Sequence, residues 1–129
     1  MDPALRQLYR QAVFRGEPFP ADWPTDFAII TAYDPEGRVV APTDNLAADA
    51  RLRAELGAGG HRTHRVTGGS ADGRHQEPGW AAPIGLPGAV ELGKRYRQLA
   101  VFYVRAGELS LIDCADGSSE DLGRPFGLV

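Results

Sequence analysis

A chain of 129 residues is long enough for one domain whose single core buries about two-thirds of the unfolded surface. Its 43% hydrophobic and 24% charged residues are ordinary for a globular protein, and a net charge of −3 gives no general attraction to nucleic acid or anionic lipid. One cysteine, Cys114, excludes an internal disulfide and fits a reducing compartment. With no apolar run of membrane-spanning length and no signal-peptide core at the start, the expectation is a cytoplasmic protein with no membrane partner.

Residues 3–15 are predicted to be helical. Asp2 is placed to cap the first turn, Pro3 suits the first helical position, and Leu5, Leu8 and Ala12 form an apolar stripe that stops at Gly16. Pro18, Pro20 and Pro24 stiffen a connector that Phe19 and Trp23 pin to the body. The clearest element follows, Phe27-Ala28-Ile29-Ile30-Thr31-Ala32-Tyr33. Its apolar side chains fall on both parities, so it reads as a central strand with neither face open to water. The turn Asp34-Pro35-Glu36-Gly37 then leads to Thr43-Asp44-Asn45, a helix-start signal.

The helix at 44–56 presents Ala48, Leu52 and Leu56 on one face and ends at Gly57, Gly59 and Gly60. A short strand at 61–66, a glycine-rich loop at 68–73 and a strand at 77–84 precede a third helix at 88–98. Leu99–Arg105 and Glu108–Cys114 flank Ala106-Gly107, a two-residue hairpin turn with glycine where positive φ is needed. The chain therefore divides into an N-terminal helix and connector (1–25), an α/β core (26–114) and a partly docked tail (115–129).

The core order strand, helix, strand, strand, helix, strand is that of a ferredoxin-like split βαβ sandwich, here with an extra C-terminal hairpin strand and an added N-terminal helix. Right-handed crossovers place the first strand between the third and the fourth, antiparallel to both. Two helices cover one face of such a sheet. The other face needs a cover as well, either helix 3–15 or a second copy of the chain in a homodimer.

Phe27–Pro35, Asn45 opening a helix, Glu77-Pro78, Gly93 and Gln98-Leu99-Ala100-Val101-Phe102 together resemble the bacterial domain of unknown function family 3293, over roughly residues 26–114. The family pattern has Asn at the position of Asp34 and Ser at that of Gly79. The resemblance implies no activity, cofactor or partner; it directs attention to the residues that carry it.

Several residues could carry chemistry. His61-x-x-His64 with His75 and Glu77 matches no established zinc spacing, so no metal or cofactor is assigned. Cys114, at a strand end, reads as a small apolar residue. Glu77 starts an interior strand beside a proline, where an unpaired carboxylate is costly. With Thr31, Asn45 and Gln98 it marks the ends of apolar elements, and the antiparallel order brings these ends to one edge of the sheet, beside Asp34. One reading is a hydrogen-bonded network that fixes the strand ends. The other is a ligand site of Thr31, Asp34, Asn45, Arg74, His75, Glu77 and Gln98, in which Glu77 is acceptor or general base and Arg74 or Arg97 holds a small anion or polar ligand. The favoured function class is a ligand- or protein-binding accessory domain. A small hydrolase or transferase using Glu77 with His75 is the alternative. A single-stranded nucleic-acid binder comes third, because 101–104 lacks the basic and glycine residues of that motif.

Overall fold

The apolar run beginning at Phe27 lies at the centre of a sheet and is flanked on both sides, as a strand without a polar face requires. The computed structural model describes residues 1–129. Its elements are α1 (Pro3–Arg10), β1 (Val13–Arg15), β2 (Phe27–Thr31), α2 (Pro42–Ala58), β3 (His64–Gly69), β4 (Gln76–Ala82), α3 (Leu86–Arg95), β5 (Ala100–Arg105), β6 (Glu108–Asp113) and β7 (Ser119–Pro125). The strands form one seven-stranded sheet in the order β1-β3-β4-β2-β5-β6-β7. Every neighbouring pair is antiparallel. β2 pairs with β4 through Ile30 and Trp80, and with β5 through Ile29 and Phe102, which is the placement the element order implied. The class is mixed α+β, and no helix is long and apolar enough to cross a membrane.

The two faces of β2 are covered in different ways. Ala28 and Ile30 join Trp80, Ala82, Val101, Tyr103 and Ile112 beneath Leu52 and Leu56 of α2 and Ala89 and Leu92 of α3. A Cβ on Gly93 would lie 2.7 Å from Cys114 Sγ and 2.9 Å from Val101 Cγ1, so this glycine sets how closely α3 seats on the sheet. On the opposite face, Phe27 and Ile29 pack with Phe14, Val66, Ala81, Val104 and Leu109. No α-helix supplies a residue to that core. The sheet curls instead, until Phe14 on β1 forms a parallel bridge with Leu128 beyond β7 and Val129 N donates to Phe14 O at 2.9 Å.

Aromatic rings fill the curl. Phe14 meets Phe102 edge-on at 5.0 Å, Phe19 lies 5.3 Å from Phe27, and Phe126 lies 5.5 Å from Phe27. This face, for which helix 3–15 or a second copy is the expected cover, is filled mainly by the chain's own connector, tail and outer strands, and α1 reaches it at one end, where the Tyr9 ring lies 6.1 Å from Phe102.

Three local expectations change for identifiable reasons. The first helix stops at Arg10, because Val13-Phe14-Arg15 pairs with Gly69, Gly68 and Thr67 as an edge strand. The polar tail, expected to dock only in part, pairs with β6 over Ser119–Pro125 and turns Leu122 into the curl. Its other side chains leave a charged outer strand, a usual protection for a sheet edge. The second helix begins two residues early, with Ala41 at the cap and Pro42 in the first turn, so Thr43-Asp44-Asn45 lies inside it.

One ion pair ties α2 to the sheet. The Arg65 guanidinium donates to both oxygens of the buried Asp49 carboxylate at 2.7 Å and stacks 3.7 Å from the Trp80 ring. Trp80 Nε1 donates to Asp49 O at 3.3 Å, so one helical turn holds strand, ring and cation together. Asp49→Ala should cost about 3 kcal/mol, the low end for a broken buried pair, because Arg65 keeps partial access to water. Arg53→Ala, which removes the second cation over Trp80, should cost less than about 1 kcal/mol. Urea denaturation of both variants checks the ranking.

Candidate functional site

β2 ends where its hydrogen bonding passes to side chains. Thr31 Oγ1 donates to Pro78 O at 2.8 Å and accepts from Tyr33 N at 3.0 Å. The chain then turns through Asp34, which has φ 46° and ψ 65°, a left-handed conformation that costs a non-glycine residue roughly 1 kcal/mol. Asn45 on α2 holds it there: Asp34 N donates to Asn45 Oδ1 and Asn45 Nδ2 donates to Asp34 Oδ1, both at 2.9 Å. Gln98 Nε2 donates to Tyr33 O at 3.1 Å, and Glu36 N donates to Arg97 O at 2.7 Å. Glu36 and Arg97 also have positive φ, and they pair through their side chains at 2.8 Å. Three of the four positive-φ residues other than glycine thus meet in one clamped loop.

The β3–β4 hairpin supplies the facing wall. Ser70 N donates to His75 O at 2.9 Å, His75 N donates to Ser70 Oγ at 3.1 Å, and Ser70 Oγ donates to Asp72 Oδ1 at 2.6 Å. A Cβ on Gly69 would fall 2.1 Å from His75 O, so the tight return of the chain requires glycine there. The hairpin sets His75, the residue before β4, two positions from Glu77 on the strand, and the two side chains meet. His75 Nε2 lies 3.1 Å from Glu77 Oε2.

Between these walls lies a cleft of about 320 Å³ at the open end of the curl. Ile29, Thr31, Gly79, Ala100 and Phe102 line its sheet side, Asp34, Gly37 and Val39 one rim, and Ser70, His75 and Glu77 the other. Helix α1 crosses the mouth and adds Leu5, Leu8 and Tyr9. No residue of α1 is fully buried, but Tyr9 is half-buried against the cleft. The helix is moored from outside by Arg6 to Glu120 at 3.1 Å and Asp113 at 3.3 Å, and by Arg10 to Glu120 at 2.6 Å.

Burial pushes the Glu77 carboxyl above its ordinary range; His75 partly offsets this and the nearby Asp34 charge adds to it. The Tyr9 phenol is pushed up to about 12, first by burial and then by the charge of Glu77, so it stays protonated as a donor. No lysine or arginine lines the cleft.

The structure brings Thr31, Asp34, His75 and Glu77 to this cleft and sets Asn45 and Gln98 behind it, where their amides hold the loop. Arg74 lies outside, beside Asp72 at 3.8 Å with its side chain 90% exposed, and Arg97 is taken by Glu36. His64 Nε2 is 2.8 Å from Glu17 O and its ring stacks on Phe19, away from His75, and no three metal-ligating side chains gather anywhere. Cys114 is buried under α3, its thiol pushed up to about 11 by burial and by Asp113. Tyr9 is the residue that sequence reasoning missed. Its signal was the spacing from Leu5, since 5, 8, 9 and 12 together make a full helical stripe.

The raised Glu77 value has a consequence for stability. The folded chain holds the Glu77 proton to higher pH than the unfolded chain does. The folded state is therefore favoured at acid pH, and that contribution is lost as pH rises from the ordinary glutamate range through the folded value. Glu77→Gln removes the charge that burial penalises, so it should raise the melting temperature at pH 7 relative to wild type, with the gain shrinking towards pH 4. A thermal melt of both proteins across that range checks it, and a loss of melting temperature at every pH would mark Glu77 as a structural anchor.

The family pattern described as Protein of unknown function (DUF3293) matches residues 30–101, more than half of the chain. The match runs from within β2 to the start of β5, so it takes in Thr31, Asp34, Asn45, His75, Glu77 and Gln98 and leaves out α1 with Tyr9. No curated protein and no solved structure matches the chain. The chain belongs to the family described as Protein of unknown function (DUF3293).

Proposed function

We propose that this protein is a small-ligand-binding domain and that the cleft at the open end of the curl is its site. The observation that carries the reading is Glu77, a carboxylate drawn into a mainly apolar cleft with one hydrogen bond, to a histidine whose side chain is 63% exposed. Structural carboxylates in such surroundings are saturated by donors, whereas a site keeps acceptor capacity for its ligand. In this reading Thr31, Asp34, His75 and Glu77 face the ligand, Asn45 and Gln98 stiffen the wall, and Arg74 stays at the outer tip of the hairpin. The volume, at the lower limit of small-molecule sites, suits a compact ligand better than a polymer. We read β2–β5 with α2 and α3 as a ferredoxin-like unit, extended by outer strands that shape the cleft.

The catalytic alternative, Glu77 with His75 as a hydrolase or transferase pair, is less well supported. Ser70 Oγ is engaged by Asp72 and by His75 N, and Thr31 Oγ1 by Pro78 and Tyr33, so neither hydroxyl is free for the pair to activate. A nucleic-acid role is weaker still. Phe102 of β5 packs into the curl, and Tyr103 packs under the helices with its hydroxyl donating to Ile84 O at 3.1 Å, so β5 offers no open stacking platform.

A neutral environment-sensitive dye such as Nile red tests the reading. A Cβ on Gly68 would meet only the Phe14 ring, at 3.4 Å, so Gly68→Ala fits its strand while taking space from the cleft. Dye affinity should fall about tenfold in Gly68→Ala, in line with other small pocket obstructions, with little change in melting temperature. No dye binding to the wild type, or equal binding to both proteins, would remove the cleft as a ligand site.

A further inference from the structure

We propose that the ligand's head is a cation, and that this cleft takes a small primary amine whose apolar body lies against the sheet. The inference rests on the cleft being a ligand site and concerns which chemistry that site prefers. Two carboxylates, Glu77 and Asp34, line the cleft, and no lysine or arginine does. The nearby guanidinium groups are committed elsewhere: Arg15 to Ser70 O and Ala71 O, Arg97 to Glu36. An anion entering here meets like charge with no lysine or arginine to offset it.

The unused acceptor capacity matches an ammonium group. Glu77 Oε1 makes no hydrogen bond within the protein, while Oε2 is shared with a largely exposed imidazole. Asp34 Oδ1 is taken by Asn45 Nδ2, which leaves Oδ2. An ammonium brings three donors, and a neutral alcohol brings one and leaves the charge of Glu77 uncompensated. The aromatic wall adds to the preference. Tyr9 and Phe102 stand edge to face at 6.1 Å beside the carboxylates, and ring faces attract an ammonium. A divalent metal ion is the other cation to consider, but no three metal-ligating side chains gather at any one place in the chain.

Isothermal titration at neutral pH and low salt with three probes of one length, n-hexylamine, 1-hexanol and hexanoate, tests the proposal. Hexylammonium should bind at least about tenfold more tightly than hexanol, the gain expected of a charge-assisted hydrogen bond, and hexanoate least of all. Glu77→Gln should bring the amine down to the level of the alcohol. The ratio of amine to alcohol in the wild-type protein carries the test even if the variant folds poorly. Hexanol or hexanoate binding as well as the amine would overturn the cation assignment and leave the cleft standing as a site. The absence of binding by all three would overturn both readings.

Discussion

A strand with no polar face, β2, imposes the architecture. Phe27 and Ile29 need an apolar partner on one side of the sheet, and Ala28 and Ile30 need one on the other. The chain has two helices suited to one side and no second helical layer, so the sheet must bury its other side against itself. It does so by curling until β1 meets the residues beyond β7, with aromatic side chains from the connector and the tail filling the space between. Closing a curl in this way also limits the free edges that a long antiparallel sheet presents. A curl has an open end, and the cleft lies there because the filling rings stop at Phe14 and Phe102.

The same geometry explains why the polar residues collect where they do. β2 ends beside the start of β4, so the turn after Thr31 and the approach to Glu77 face each other across the concave surface. Asn45, Gln98 and Arg97 spend their hydrogen bonds on the backbone of the Asp34 loop, which keeps two left-handed residues in place at a cost that only rigid surroundings sustain. Glu77 receives no comparable support. Its burial favours the protonated form, and its single partner is an exposed side chain. A fold that stiffens the wall and leaves one carboxylate under-satisfied has the pattern expected where stability is given up for binding.

The parts of this arrangement that were legible in the sequence are those set by periodicity. The two-sided apolar run marked β2, the spacing of Leu52 and Leu56 marked α2, and Ala106-Gly107 marked the β5–β6 turn, where both residues have positive φ. From those elements antiparallel order alone brought Thr31, Asp34 and Glu77 to one edge. What stayed hidden depended on contacts distant in sequence. β1 reads as the end of a helix until Gly68 and Gly69 pair with it, and β7 is polar because its curl-facing side needs little besides Leu122. The charge of the site was also hidden. Arg74 and Arg97 stand close to the cleft residues in sequence, yet local turns hand them to Asp72 and Glu36, and the site becomes acidic.

The central claim is that the fold holds Glu77 in the cleft as a carboxylate short of partners. Carbon-13 NMR titration of the Glu77 carboxyl, in the free protein and in the presence of n-hexylamine, tests this most directly. The account predicts a midpoint above the ordinary glutamate range in the free protein and a downward shift when the amine is added, since a bound cation favours the ionised form. An ordinary midpoint that the amine leaves unmoved would contradict it.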